Sequence, residues 1–235
     1  MDAQPGALQT LVNVLLQPPA GFAQLRQAPV RHALWALMSV MLIAALANWW
    51  FMHGMSPDWI VDQQLQVQSG MSEADMAQAR PILEQMAPHT GLLAAVAALV
   101  TLPVGCVLLA AIYVGSERLL SVSRHSYGRW FLASAYCLLP LGVGALGLLL
   151  LTLLADNPDQ PLSLANYASL NTLLLQLPPG SPHFAWASSL DLFQIWCGVL
   201  GAVAARVWCG IGWGRALLFG LLPWIAIYGG WALLS

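Results

Sequence analysis

Asp191 is the only acid inside any of five long apolar runs in this chain, and an ionisable group so placed is a functional candidate by default. Ser188 and Asp191 make a Ser-x-x-Asp pattern, which predicts a cap at the start of the fourth run with the carboxylate at the positive end of a helix dipole. A proton relay or a cation site is the competing reading. Asn48, Gln194 and Tyr228 each sit about four to six residues from one end of their runs, which puts them at a common depth roughly 6 to 9 Å below one interface. Together with Asp191, and with Thr152 just above, they form a candidate polar layer. Such residues on different helices either bond one another as interhelical glue or line a small polar cavity. Arg206 cannot neutralise Asp191 within one helix, because about fifteen residues separate them by roughly 22 Å. Its side chain is expected to snorkel to the opposite face.

Other chemistry-bearing types are more weakly patterned. His53, His89 and His183 mark the ends of runs on the same side as the polar layer, with Met52, Met55, Met71, Met76 and Met86 in or beside that region. Imidazole and thioether suit Cu(I) and related soft ions. Their spacing matches no ligand motif, and methionine commonly fills an apolar helical face, so neither a metal nor a cofactor is predicted. Cys106, Cys137 and Cys197 lie inside runs and Cys209 ends the fourth, so they read as small hydrophobes and not as a disulfide framework. His-Glu-x-x-His, Gly-x-Gly-Asp and Gly-x-Ser-x-Gly are all missing, and no run holds the two carboxylates that aspartyl chemistry shares. An enzyme is not expected.

The elements that must position these residues are the runs themselves: Ala33 to Met52, Gly91 to Val114, Trp130 to Leu154, Leu190 to Trp208 and Ala216 to Leu234. Each is about long enough to cross a roughly 30 Å hydrocarbon core as a helix. With 59% apolar and 8% charged residues and a mean hydropathy of +0.70, the composition does not suit a water-soluble surface. The fold class predicted is all-α: a polytopic membrane protein, a bundle of five transmembrane helices, with interfacial helices in the outer loops and at the N-terminus. Its domains are an amphipathic N-terminal segment, residues 1–32, and a membrane domain, residues 33–235. Ala45-Leu46-Ala47 mimics a signal-peptide cleavage site, but the apolar run continues through Trp49, Trp50 and Phe51, so the segment reads as an anchor that stays.

Charge sets the expected orientation. All eight basic residues are arginine, and only Arg80 lies on the far side of the runs from Arg26, Arg31, Arg118, Arg124, Arg129, Arg206 and Arg215. The positive-inside rule therefore predicts a cytoplasmic N-terminus and an outer C-terminus. Arg118, Arg124, Arg129, Arg206 and Arg215 form a candidate cytoplasmic collar facing lipid, each adding about 1 kcal/mol near anionic headgroups. A formal charge of −2 without a basic block excludes a nucleic-acid role. The partners expected are the lipid bilayer and other membrane proteins or a second copy; no small-molecule substrate is identified.

Leu8, Leu11, Val12, Leu15 and Leu16 supply one apolar helical face before Pro18-Pro19, predicting a helix along the cytoplasmic interface or docked under the bundle. In the first outer gap, Ser72 followed by Glu73 and Asp75 marks a helix start, with Met76, Ala79, Ile82, Leu83 and Met86 as its apolar face and Pro81 as its weak point. The second gap, Ala155 to Ala187, is read as another interfacial helix and loop, carried by Leu162, Leu164, Tyr167, Leu170 and Leu174.

These stretches carry a resemblance. Leu15-Leu16-Gln17-Pro18-Pro19-Ala20-Gly21-Phe22 with Leu25 and Pro29, the Gln/Met-rich segment Met71 to Met86, Tyr136-Cys137-Leu138-Leu139-Pro140-Leu141, Ser189-Leu190-Asp191-Leu192-Phe193-Gln194-Ile195-Trp196 and Gly210-Ile211-Gly212-Trp213-Gly214-Arg215-Ala216 occur in that order. The chain resembles the bacterial branch of the Yip family, five-span proteins named for Ypt/Rab-interacting relatives in eukaryotes. The resemblance implies a non-enzymatic membrane organiser or adaptor; eukaryotic relatives engage small GTPases and trafficking machinery. The alternative from another class is a small transporter or channel using the outer polar layer, for which the inner halves of the spans offer only scattered groups such as Ser39, Ser134 and Tyr136.

Topology is directly testable. A cysteine introduced at Ser121 is expected to react with a membrane-impermeant thiol reagent only from the cytoplasmic side, and one at Ser163 only from outside. Labelling of both from one side contradicts the five-span reading.

Overall fold

A backbone in hydrocarbon must satisfy its own hydrogen bonds, and the apolar runs of this chain do so as helices. The computed structural model describes residues 6–67 and 72–234; Met71 and Ser235 lie outside them. The helices are α1 (Ala7–Leu16), α2 (Pro18–Leu25), α3 (His32–His53), α4 (Pro57–Val67), α5 (Glu73–Met86), α6 (Thr90–Leu120), α7 (Tyr127–Cys137), α8 (Leu139–Leu153), α9 (Phe184–Ser189), α10 (Leu192–Cys209), α11 (Trp213–Trp224) and α12 (Gly230–Leu234). Five stretches among the described residues are long and apolar enough to cross a membrane. The protein is all-helical and membrane-spanning, as expected.

Proline explains most departures from regularity, because it removes one amide donor and crowds the preceding turn. The third span divides at Leu138, just before Pro140, into α7 and α8, and a π turn at Ile225–Gly229 follows Pro223 in the fifth. Helices α5 and α6 continue through Pro81 and Pro103. Helix α6 also runs past the expected end of its span at Val114 to Leu120.

The chain divides into two compact units. The first comprises Met1–Leu42, Val100–Val143 and Phe193–Gly230. Its core is an aromatic cluster in which Tyr113 stacks on Phe219 at 5.0 Å and meets Trp130 edge-on at 5.6 Å, while Trp130 lies 5.3 Å from Trp208. Small residues let α10 and α11 approach one another: a side chain at Gly220 would meet the Gly198 carbonyl and the Ala202 backbone, and one at Gly201 would strike the Tyr113 hydroxyl. The N-terminal helices are docked, not loose. Helices α1 and α2 close on each other where a Cβ on Gly21 would lie 2.7 Å from the Val14 Cα. Val14, Phe22 and Leu25 are buried in the core of this unit.

The second unit comprises Ile43–Leu99, Gly144–Leu192 and Trp231–Ser235. Phe51, Met55, Ile60 and Leu148 form its apolar cluster. Asp159 accepts hydrogen bonds from the Ser56 amide (2.6 Å) and hydroxyl (3.0 Å) at the start of α4, and Trp59 donates to the Gln160 carbonyl (2.8 Å). Ser72 caps α5 as expected, its hydroxyl accepting from the Asp75 amide at 3.2 Å. The second outer gap is less regular than the helix and loop expected. It holds a 3-10 turn at Leu162–Asn166, a π turn at Asn171–Leu175 and short α9. Pro161 and Pro178-Pro179-Gly180 interrupt any longer helix there.

The α10–α11 crossing yields a stability prediction. Gly220→Ala is expected to cost roughly 1–3 kcal/mol, because backbone atoms and not flexible side-chain ends stand in the way. Gly105→Ala, with nothing near its added Cβ, should be neutral or slightly stabilising. Thermal unfolding in detergent separates them, and equal melting temperatures would refute the close crossing.

Candidate functional site

The periodicity of α6 places Glu117 inside the protein. Cys106, Ala110, Tyr113 and Glu117 recur at steps of four, three and four residues, so the buried face of the helix continues one turn past its apolar run. Glu117 is 1% exposed. An uncompensated carboxylate there would be strongly unfavourable, so its lone pairs need donors.

Three segments supply them. From α7, the Trp130 indole donates to Oε2 at 2.9 Å. From the turn between α6 and α7, the His125 backbone amide donates to the same oxygen at 2.9 Å, the His125 Nδ1 lies 2.6 Å from Oε1, and the Ser123 hydroxyl donates to Oε1 at 3.1 Å. From the last residue of α10, the Cys209 thiol reaches Oε1 at 3.5 Å. The turn is fixed by the Ser121 and Ser123 hydroxyls, 2.6 Å apart, and by Arg124, which donates to the Ser121 and Ser123 carbonyls at 2.8 and 2.6 Å. The His125 ring packs against Trp208 (5.6 Å) and Trp130 (6.0 Å). Glu117, His125 and Cys209 bring carboxylate, imidazole and thiol atoms within 4.8 Å of one another.

A second anchorage lies beside it. Arg129 donates to the Ala28 carbonyl at 2.6 Å, to the Leu25 carbonyl at 3.1 Å and to the Arg26 carbonyl, closing the exposed end of α2. A guanidinium here meets the negative end of that helix and the carbonyls of the residues that follow it. Its Cζ also lies 5.7 Å from the Trp208 ring centroid, and the Trp208 indole donates to the Phe22 carbonyl at 2.8 Å. The N-terminal hairpin is thus tied to α7 and α10.

Of the arginines expected to form a collar, Arg118 and Arg215 are exposed, Arg206 lies 4.8 Å from the Trp213 ring, Arg124 holds its own turn, and Arg129 is spent on the N-terminal segment. Among the expected polar layer, Asn48 donates back to the Ala44 carbonyl of its own helix at 2.8 Å. Asp191 directly precedes α10, and Ser188 belongs to α9, so the two do not bracket one helix start as expected. Instead Ser169 and Asp191 pair in an antiparallel bridge, with the Leu170 amide donating to Leu190 (2.8 Å) and the Leu192 amide to Ala168 (3.1 Å). Burial, and then the Asp191 carboxylate, raises the Tyr167 hydroxyl above its ordinary pKa. Gln194 lines a cavity of about 260 Å³ with Thr101, Leu109, Leu138 and Trp224, and Tyr228 lies in the π turn of the fifth span. Asn48 and Asp191 belong to the second unit, Gln194 and Tyr228 to the first. Of the outer histidines, His53 stacks on Trp49 at 4.8 Å, His89 ends a 3-10 turn, and His183 adopts a left-handed φ of 63° before α9.

Sequence reasoning passed over Glu117 because it lies three residues beyond the apolar run among the inner arginines. The signal that could have found it is the four-three-four spacing from Cys106.

Residues 12–234 match the sequence profile described as the Yip1 domain. No curated protein and no solved structure gives a significant match.

Removing the carboxylate should be far more damaging than removing a surface acid. Glu117→Ala strands the Trp130, His125 and Ser123 donors and is expected to cost about 3–5 kcal/mol. Glu84→Ala, on the exposed face of α5, should cost less than about 1 kcal/mol. Denaturant unfolding measures both, and equal losses would contradict the buried hub.

Proposed function

The chain belongs to the Yip1 domain family, and from that membership and its surface we propose that this integral membrane protein is a non-enzymatic organiser or adaptor binding other membrane proteins. It sits in a bacterial inner membrane with its N-terminus cytoplasmic and its C-terminus outside, a reading supported by seven arginines against one. The observation that carries the adaptor role is a row on α1. Leu8, Val12 and Leu16 are 75%, 47% and 75% exposed, at i, i+4 and i+8, while Val14 on the opposite face is buried. A helix with apolar residues on both sides has more to cover than its own fold covers. Trp208 and Arg129 hold the hairpin by the Phe22 and Leu25 carbonyls of α2, so the row is presented on a fixed support. A groove on a partner that accepts residues at i, i+4 and i+8 matches it.

The second reading, a small transporter or channel, draws on the Ser134 and Tyr136 hydroxyls, which are buried without hydrogen-bond partners in the first unit. The cavity beside Gln194 is mainly apolar, with Leu102, Leu108, Leu109, Ile112, Leu138 and Leu141 in its wall. That lining suits no charged solute.

Photo-crosslinking residues placed at Leu8 and Leu16 in native membranes should give protein adducts of discrete mass, and Leu8→Ser with Leu16→Ser should abolish co-purification of those partners without lowering the melting temperature. Crosslinks to lipid alone would overturn the adaptor reading. Solute flux through proteoliposomes that is lost on Gln194→Leu would establish the transporter instead.

A further inference from the structure

We propose that Glu117, His125 and Cys209 form a binding site for a zinc-type divalent metal ion, which staples the end of α6, the α6–α7 turn and the end of α10. The inference is independent of the adaptor reading. Its basis is the division of labour between the two carboxylate oxygens. Oε2 is held by the Trp130 indole and the His125 amide, both at 2.9 Å; neither is a metal ligand, and both bonds can persist while an ion is bound. Oε1 faces the other way, towards the His125 Nδ1 at 2.6 Å and the Cys209 Sγ at 3.5 Å. Such outer hydrogen bonds orient a ligating carboxylate and set its basicity.

The donor set is the one zinc selects, with one thiolate, one imidazole and one carboxylate. Tetrahedral coordination at standard zinc bond lengths separates oxygen from sulfur by roughly 3.5 Å and oxygen from nitrogen by roughly 3.3 Å. The oxygen–sulfur distance of 3.5 Å already fits. The imidazole must withdraw by roughly 0.7 Å, which a side chain at the partly exposed edge of the cluster can do. The Ser123 hydroxyl, 3.1 Å from Oε1, or a water can complete the shell. On binding, the thiol proton leaves for solvent, and the imidazole gives up the Nδ1 proton that faced the carboxylate and carries its proton on Nε2 instead, exchanging through solvent at its partly exposed edge, so that the Nδ1 lone pair turns to the ion. The ion, carboxylate and thiolate then sum to zero charge, so the buried site carries no net charge.

Full-length protein, purified in detergent with a phosphine reductant and stripped by chelator, is titrated with Co²⁺ as the spectroscopic probe. The expected result is a thiolate-to-cobalt charge-transfer band in the near ultraviolet that saturates at one equivalent and is bleached by Zn²⁺. Cys209→Ala should lose the band, and Zn²⁺ should raise the melting temperature of the parent protein above its metal-free value but leave that of this variant at its own metal-free value. Trp130→Phe should weaken binding about 10–100-fold by freeing the carboxylate to rotate. No saturable charge-transfer band in the parent protein would overturn the site, as would a band that persists in Cys209→Ala, since Cys106, Cys137 or Cys197 would then be the ligand. The parent titration decides the question even if a variant fails to fold.

Discussion

A buried carboxylate that must be satisfied organises one end of the first unit. Glu117 can occupy its position only if the α6–α7 turn, α7 and α10 all arrive with donors, and each arrives by a different route: a backbone amide and imidazole, an indole, a thiol. In an interior of low dielectric such a network is all or nothing, since each missing donor leaves a charge uncompensated. The turn between α6 and α7 is therefore as specified as the helices it joins.

Trp208 carries that order outward. Its ring lies within the aromatic cluster, beside His125 and Trp130, while its indole donates to the Phe22 carbonyl. Arg129, under the same ring, donates to the carbonyls of Leu25 and Ala28 at and just past the end of α2. The N-terminal hairpin is bound through polar groups at the end of α2 and apolar contacts at Val14, Phe22 and Leu25, which leaves the opposite side of α1 uncovered. Packing between helices follows a different rule. With hydrocarbon outside as well as inside, burying apolar area gives little drive, and close approach at Gly198, Gly201 and Gly220 supplies the contact.

What the sequence determined by itself follows from constraints that act on contiguous residues. The five apolar runs had to become helices because hydrocarbon offers a backbone no other donors or acceptors. Ser72 was readable as a cap because its partner lies three residues away. The docking of α1 was half legible: periodicity gives an apolar face, but only the fold decides that Val14 turns inward while Leu8, Val12 and Leu16 turn out.

Only the tertiary structure decided what depends on residues far apart in the chain. Asp191 and Ser188 looked like one helix start, yet a bridge to Ser169 separates them into different elements. Arg129 looked like one member of a charged collar, and its charge is spent on a carbonyl cluster a hundred positions earlier in the chain. Glu117 and Cys209 lie on different helices, 92 residues apart, and no local pattern couples them. Spacing along a helix gives the face on which a group lies, whereas its chemistry depends on what that face meets, and that is settled by packing.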